Sequence, residues 1–144
     1  MKNDPIPNDN HVSRHCGFLH IDRKGRITGQ AFRPRVSEEY LSVNWLEYFK
    51  SAGLNTQMQE IRTTLMRKGR KIGAQSKFAV LNVGELKEYV GKKSVNGSVL
   101  SVLHEPEEND PSHSGIYGVS VDDFLIAEII AEFVREEMTF PGLE

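Results

Sequence analysis

Apolar residues recur along this chain at two spacings, and the spacing changes from one segment to the next. Apolar positions three and four apart predict three helices, over residues 37–53, 56–69 and 122–138. In the first of these, Leu41 and Trp45 begin the apolar stripe. The broad apolar face of the last helix predicts that it is buried against a sheet.

Other segments have the character of strands. A continuous apolar run over residues 77–83 predicts a buried strand, and shorter runs predict strands at 99–103 and 115–119. One or two helical turns are predicted at 85–90. Two hairpins are predicted, one from residues 17–21 and 27–32 around a polar turn, the other at Asn96-Gly97, which suits a type I′ turn.

The predicted strands and helices are grouped along the chain and do not alternate. This order favours an α+β fold, with a small, mainly antiparallel sheet and helices packed on one of its faces. A chain of 144 residues is the size of one domain, which we assign to residues 11–144. Residues 1–10 hold two prolines, three asparagines and two aspartates, and they predict a flexible N-terminal arm.

Composition limits where the protein works. No stretch approaches the roughly 20 apolar residues that cross a bilayer, and the N-terminus shows no secretory signal. Cys16 is the single cysteine, so a disulfide within the chain is excluded and a cytoplasmic location is expected. The formal net charge is −2, yet residues 1–72 carry 13 Lys and Arg against 7 Asp and Glu, whereas residues 73–144 carry 5 against 13. The two halves either pair with each other or present separate basic and acidic surfaces.

Histidines are the first candidates for chemistry. His104 follows an apolar strand, and the loop after it brings His113 close in the sequence. Together with His11 and Arg14, these residues would form a metal-independent site for phosphodiester cleavage, with histidines as acid and base. The alternative is that they bind a ligand or simply hold the loop in place. No cofactor is expected, and no metal, since His11 and His15 lack a third ligand.

A basic cluster is the candidate site for phosphate or nucleic acid. Four cations lie within five residues near the end of the helix predicted at 56–69, and a fifth lies upstream; together they are Arg62, Arg67, Lys68, Arg70 and Lys71. They would attract phosphate in a salt-dependent manner. No aromatic residues alternate with them, so a stacking platform for single strands is not indicated. A solvated helix end is the alternative explanation.

Three segments together resemble a family of small uncharacterised bacterial proteins. They are YLSVNWLEYF at residues 40–49, FAVLNVG at residues 78–84, and HEP followed by DPSHSGI between residues 104 and 116. HVSRH at residues 11–15 extends the resemblance, which spans about residues 10–117. The resemblance implies no activity, but it implies that the four histidine and arginine candidates belong to one polar site.

Two hypotheses of function follow. The first is a small cytoplasmic bacterial accessory or adaptor protein that binds a protein or a phosphate-bearing partner, in the company of mobile-element or defence systems. A protein partner or a homodimer is expected, nucleic acid is a further partner class, and no membrane is expected. The second is a metal-independent nuclease or nucleotide-processing enzyme. The two differ in whether the four candidate side chains converge.

Overall fold

Six strands form one antiparallel sheet in the computed structural model, which describes residues 2–50, 53–120, 124–135 and 139–142. The strands are β1 (His11–Cys16), β2 (Leu41–Trp45), β3 (Lys77–Asn82), β4 (Ser101–His104), β5 (His113–Tyr117) and β6 (Thr139–Pro141). Their order across the sheet is β4-β5-β2-β1-β3-β6. Each neighbouring pair is antiparallel, as predicted.

Three helices cover the sheet: α1 (Leu54–Arg67), α2 (Val83–Lys93) and α3 (Phe124–Arg135). Alternate residues of β3 point to opposite faces, so that Phe78 and Val80 pack with α1 whereas Ala79 and Leu81 pack with α2 and α3. We call these sides the α1 face and the α3 face. The α+β class is confirmed; helices lie on both faces, where the sequence predicted one, because the α1 stripe has its own apolar partner in β3.

The sheet is least continuous at its centre, between β1 and β2. β1 pairs with β3 along its whole length, but its register with β2 covers only Val12↔Trp45 and Ser13↔Asn44. Beyond these pairs the side chain of Arg14 reaches from β1 to β2, where its Nη1 donates to the carbonyl oxygen of Ser42 at 2.7 Å. A buried carbonyl needs a donor, and the guanidinium supplies it where the backbone does not.

The N-terminal segment lies along the free edge of β4. Backbone bonds run from Asn3 N to His104 O at 2.6 Å and from Ile6 N to Val102 O at 2.9 Å. The side chain of Ile6 is buried in the core of the α3 face. Residues 3–6 therefore extend the sheet beyond β4, while the predicted mobility of residues 1–10 stays a prediction.

The start of α2 is fixed by two kinds of cap. The side chain of Asn82 accepts from the backbone N–H of Glu85 at 2.8 Å, which satisfies a donor that the helix leaves unpaired. The N–H of Val83 donates to the carbonyl of Asn10 at 2.9 Å. The short helix predicted at 85–90 is therefore confirmed and longer than expected.

The helix predicted over residues 37–53 is wrong. Residues 41–45 form β2, and Leu46–Tyr48 form one turn of 3-10 helix. Leu41 and Val43 are both buried on the α3 face, which is the alternation of a strand. Leu41 and Trp45 are four residues apart, which fits one turn of a helix and also the two-residue period of a strand. The burial of Val43, midway between them, fits only the strand.

Both predicted hairpins are also wrong. The turn at residues 22–26 exists, closed by a bridge between Ile21 and Ile27, but 3-10 helices at Phe18–His20 and Gly29–Phe32 replace the flanking strands. Phe32, the last residue of the second 3-10 helix, is buried in the core of the α3 face. Around Gly97, a turn links α2 to β4, and no strand precedes it.

The remaining elements agree with the sequence. The strands predicted at 77–83, 99–103 and 115–119 are confirmed as β3, β4 and β5 with shifted ends, and the helix predicted at 56–69 is α1. α1 begins two residues earlier, at Leu54, without a side-chain cap. α3 confirms the last helix, whose predicted acidic start at residues 122 and 123 lies outside the described residues.

Gly118 provides a test of the packing between β5 and the segment before β4. Its φ is +105°, and an added Cβ would lie 2.8 Å from the carbonyl oxygen of Val99. Gly118→Ala should therefore lower the free energy of unfolding by roughly 2–3 kcal/mol, measured by urea denaturation. Gly97→Ala is the matched control, since its φ is +61° and its space is open; equal losses in the two variants would contradict this account.

Candidate functional site

His104 and His113 bracket the loop between β4 and β5, and each binds the far end of it. The Nε2 of His104 lies 2.7 Å from the carbonyl oxygen of Pro111, and the Nδ1 of His113 lies 2.8 Å from that of Glu105. Carbonyl oxygens only accept, so both ring nitrogens are donors here. The two histidines thus close the acidic loop reciprocally.

His11 is held by a carboxylate on the turn after β2. Its Nδ1 lies 2.6 Å from Glu47 Oε2, and its backbone N–H donates to Glu47 Oε1 at 2.7 Å. The ring of the neighbouring Tyr48 contacts that of His104 in a tilted arrangement, with centroids 5.7 Å apart. His11 and His104 therefore contact consecutive residues of one short turn.

The four predicted catalytic residues are divided between the two faces of the sheet. Strand alternation puts Arg14 on the α3 face with Val12, and His104 on the same face with Val102. It puts His11 and His113 on the α1 face. Arg14 is bonded to backbone carbonyls of Ala31 and Ser42, at 2.9 and 2.7 Å. These contacts show that Arg14 links three segments of the chain inside the fold.

β1 also carries two titratable groups, His15 and Cys16, whose pKa values are shifted strongly by burial. The pKa of His15 is lowered to about 4, first by burial and then by the positive charges of Arg70 and Arg14. Burial raises the pKa of the Cys16 thiol to about 12, so this buried cysteine is a poor nucleophile. Nε2 of His15 and Oγ of Ser13 are buried without a hydrogen-bond partner.

A network of polar side chains surrounds Asp110, which is fully buried. Its carboxylate accepts from Asn44 Nδ2 at 2.8 Å and from Lys68 Nζ at 2.9 Å. Lys68 also donates to Glu107 at 3.0 Å. Burial lowers the pKa of Lys68, but these bonds outweigh it and the net pKa is raised. The network ties the end of α1 to the β4–β5 loop.

The five cations predicted to bind phosphate do not form one surface. Arg62 is buried, and its Nη2 donates to the carbonyl of Pro141 at 2.8 Å. Lys68 is engaged by Asp110 and Glu107. The three that remain exposed are Arg67, Arg70 and Lys71. A role of this cluster in binding phosphate stays a prediction, carried by those three residues.

A groove runs between the end of α2 and α3. Its volume is about 390 Å³, and Ile126 and Ile129 of α3 contribute apolar lining. Val95, in the turn after α2, is 91% exposed and Leu125 is 69% exposed at its border. Single exposed apolar residues are ordinary, but a concave apolar surface with exposed neighbours is typical of a binding site.

Sequence reasoning missed several residues of these sites. Ser42 and Asn44 lie on the polar side of β2, and a period of two across residues 41–45 would have found them. The groove residues Val95 and Leu125 gave no sequence signal, because apolar residues in a turn and on a helix are expected to be buried.

Among the residues that the structure describes, no group of three or more His, Cys, Asp or Glu side chains is arranged to hold a metal. No described helix is long and apolar enough to span a membrane. No family model matches the chain, and neither a curated protein nor a solved structure is significantly similar to it.

The Asp110 network generates a stability prediction. Lys68→Met leaves a buried carboxylate without its cation and should lower the free energy of unfolding by roughly 3 kcal/mol in urea denaturation. Lys71→Met, at an exposed position, should cost less than about 0.5 kcal/mol. The double variant Lys68→Met/Asp110→Asn should recover part of the loss. Equal stability of the two single variants would show that the ion pair is not stabilising.

His15 generates a prediction about pH. Because its pKa falls from 6.5 to about 4 on folding, the unfolded chain takes up this proton first as the pH drops. The stability that His15 contributes is therefore present above pH 6.5 and is lost as the pH falls towards 4. An NMR titration of the imidazole should show the low pKa, and Arg70→Gln should raise it. Titration of His15 near 6.5 in the native protein would refute the assignment.

Proposed function

We propose that this chain is a small accessory or adaptor protein that binds a protein partner in the groove between α2 and α3. The observation that carries the proposal is the exposure of Val95 and Leu125 at the border of an apolar groove. Burying apolar surface is the main driving force of protein association, at about 25 cal/mol per Å².

The groove suits a specific partner. One wall is α3 and the other is the last residue of α2 with the turn at residues 94–98, so one side of the groove is rigid before a partner binds. Charged residues stand around the apolar lining, with Lys93 on the α2 side and Glu128 and Glu132 on the α3 side. We expect a partner with an apolar centre and a cation facing the two glutamates, since complementary charges select partners and orientation.

The positions of the four histidine and arginine candidates support binding over the nuclease alternative. Arg14, His104 and His113 bond to backbone carbonyls of their own chain, and His11 bonds to Glu47. A substrate would need these groups on one side of the sheet.

The proposal includes a cytoplasmic location, which a single buried thiol supports. We further propose that the protein acts in a bacterial mobile-element or defence system. A phosphate-bearing partner is a second candidate, favoured by the exposure of Arg67, Arg70 and Lys71.

A site-specific photo-crosslink tests the proposal. The photoreactive amino acid benzoylphenylalanine is placed at Leu125 or at Val95, and irradiated in cells of the native host. The matched control is Leu19, which is 87% exposed but does not line the groove. We expect one discrete protein adduct from both groove positions and none from the control.

Mass spectrometry of the adduct identifies the partner. Glu132→Lys should weaken the adduct, because it repels the cation expected opposite Glu128 and Glu132, whereas Glu60→Lys, at an exposed position away from the groove, should not. Absence of any adduct from the groove, or the same adducts from Leu19, would refute the proposal.

A further inference from the structure

A row of polar side chains lies on the α1 face over β2 and β5, beside the part that α1 covers. Ser42 and Asn44 share this face with His113, whose strand is paired with β2. Ser42 is partly exposed, and it lies opposite Gly115, whose missing side chain leaves room for the ring of Tyr40.

The hydroxyl of Ser42 lies 3.3 Å from Nε2 of His113. Nδ1 of the same ring lies 2.8 Å from the carbonyl oxygen of Glu105, so the proton of the neutral imidazole is on Nδ1. Nε2 is then a lone-pair acceptor, and the Ser42 hydroxyl donates to it. A hydroxyl that donates to an oriented imidazole is arranged as a nucleophile next to its general base, because the imidazole can accept its proton.

The surroundings hold this pair in place. The carbonyl of Ser42 accepts from Arg14, and the backbone of Ser42 pairs with that of Gly115. Glu107 Oε2 lies 3.9 Å from Nδ1 of His113, close enough to stabilise an imidazolium. The orienting group is thus a backbone carbonyl, with a carboxylate behind it.

We propose that Ser42 is a nucleophile activated by His113, for acyl or phosphoryl transfer from substrates that carry a cationic group. Ser42 Oγ forms a bond to the acyl carbon or phosphorus while its proton passes to His113 Nε2. The bond to the leaving group breaks, and that group departs with the electron pair.

The substrate class follows from an adjoining cavity of about 380 Å³. Tyr40 and Tyr117 line it together with Glu39, Glu105 and Glu107, and Lys2 is the cation of the lining. The carboxylate of Glu105 accepts from the Tyr117 hydroxyl and that of Glu107 from Lys68, so Glu39 is the residue chosen for the test below. Tyr40, Glu105 and Glu107 also contact His113, so three residues of the cavity wall adjoin the general base. Carboxylates and aromatic rings together favour a positively charged substituent.

Fluorophosphonate labelling of the full chain tests this proposal. Ser42 Oγ should bond to phosphorus, fluoride should leave, and a tryptic peptide containing Ser42 should carry the added mass. Ser42→Ala should abolish the adduct, whereas Ser101→Ala, at an exposed serine of β4, should not change it. His113→Gln should slow labelling about 100-fold, the low end of what a positioned general base contributes.

A probe with a cationic linker should react faster than its neutral analogue, and Glu39→Gln should reduce the difference. Equal rates for the two probes would contradict the proposed preference for substrates that carry a cationic group. No adduct at Ser42 in folded protein, or an adduct unaffected by His113→Gln, would overturn the nucleophile.

A second variant guards against a folding defect in His113→Gln, which also loses its bond to the loop. Ser42→Cys should react with iodoacetamide below pH 7, because His113 accepts the thiol proton. Ser101→Cys should follow the ordinary thiol titration, and the buried Cys16 should give no background. Identical pH profiles for the two introduced cysteines would equally overturn the proposal.

Discussion

The width of one helix determines how much of the α1 face is apolar and how much is polar. An α-helix with its side chains is about 10 Å across and covers about two strands of a sheet whose strands are about 4.8 Å apart. α1 packs on Phe78 and Val80 of β3, and the face over β2 and β5 is left to other groups. Those groups are polar and, like Asp110, Asn44 and His113, largely buried, so they need hydrogen-bond partners within the protein. The Asp110 network and the histidine-bracketed loop satisfy them, so the polar site exists where the helix ends.

The split of charge along the chain persists in the fold. Lys68 of the basic half reaches Glu107 and Asp110 of the acidic half. Other ion pairs, such as Arg26 with Asp22 and Lys92 with Glu88, join charges from the same half. Pairing within a half leaves its excess charge in place, whereas the ion pairs of Lys68 offset part of the excess of both halves. Arg67, Arg70 and Lys71 belong to the basic half and are exposed.

The sequence predicted correctly those elements whose apolar spacing fits either a helix or a strand. It failed where the same spacing fits both. Residues 77–83 and the apolar face of α3 have no competing interpretation, and both are confirmed. Leu41 and Trp45 fit a helix and a strand equally, and only the neighbours of Val43 in the folded sheet decide. The candidate histidines were found from their positions around a loop. The partners of His104 and His113 are backbone carbonyls, which every residue carries, so composition and spacing could not reveal these bonds.

The short register between β1 and β2 divides the sheet into two three-stranded units, β4-β5-β2 and β1-β3-β6, joined by two residue pairs and the Arg14 guanidinium. A side chain can leave such a position by rotating about single bonds, without breaking a ladder. The two units therefore share few backbone bonds in the middle of the sheet. The core cluster of the α3 face joins them instead, since it contains Val12 of β1 together with Val43 of β2. Cohesion across the centre of this sheet thus depends on side chains more than on the backbone ladder.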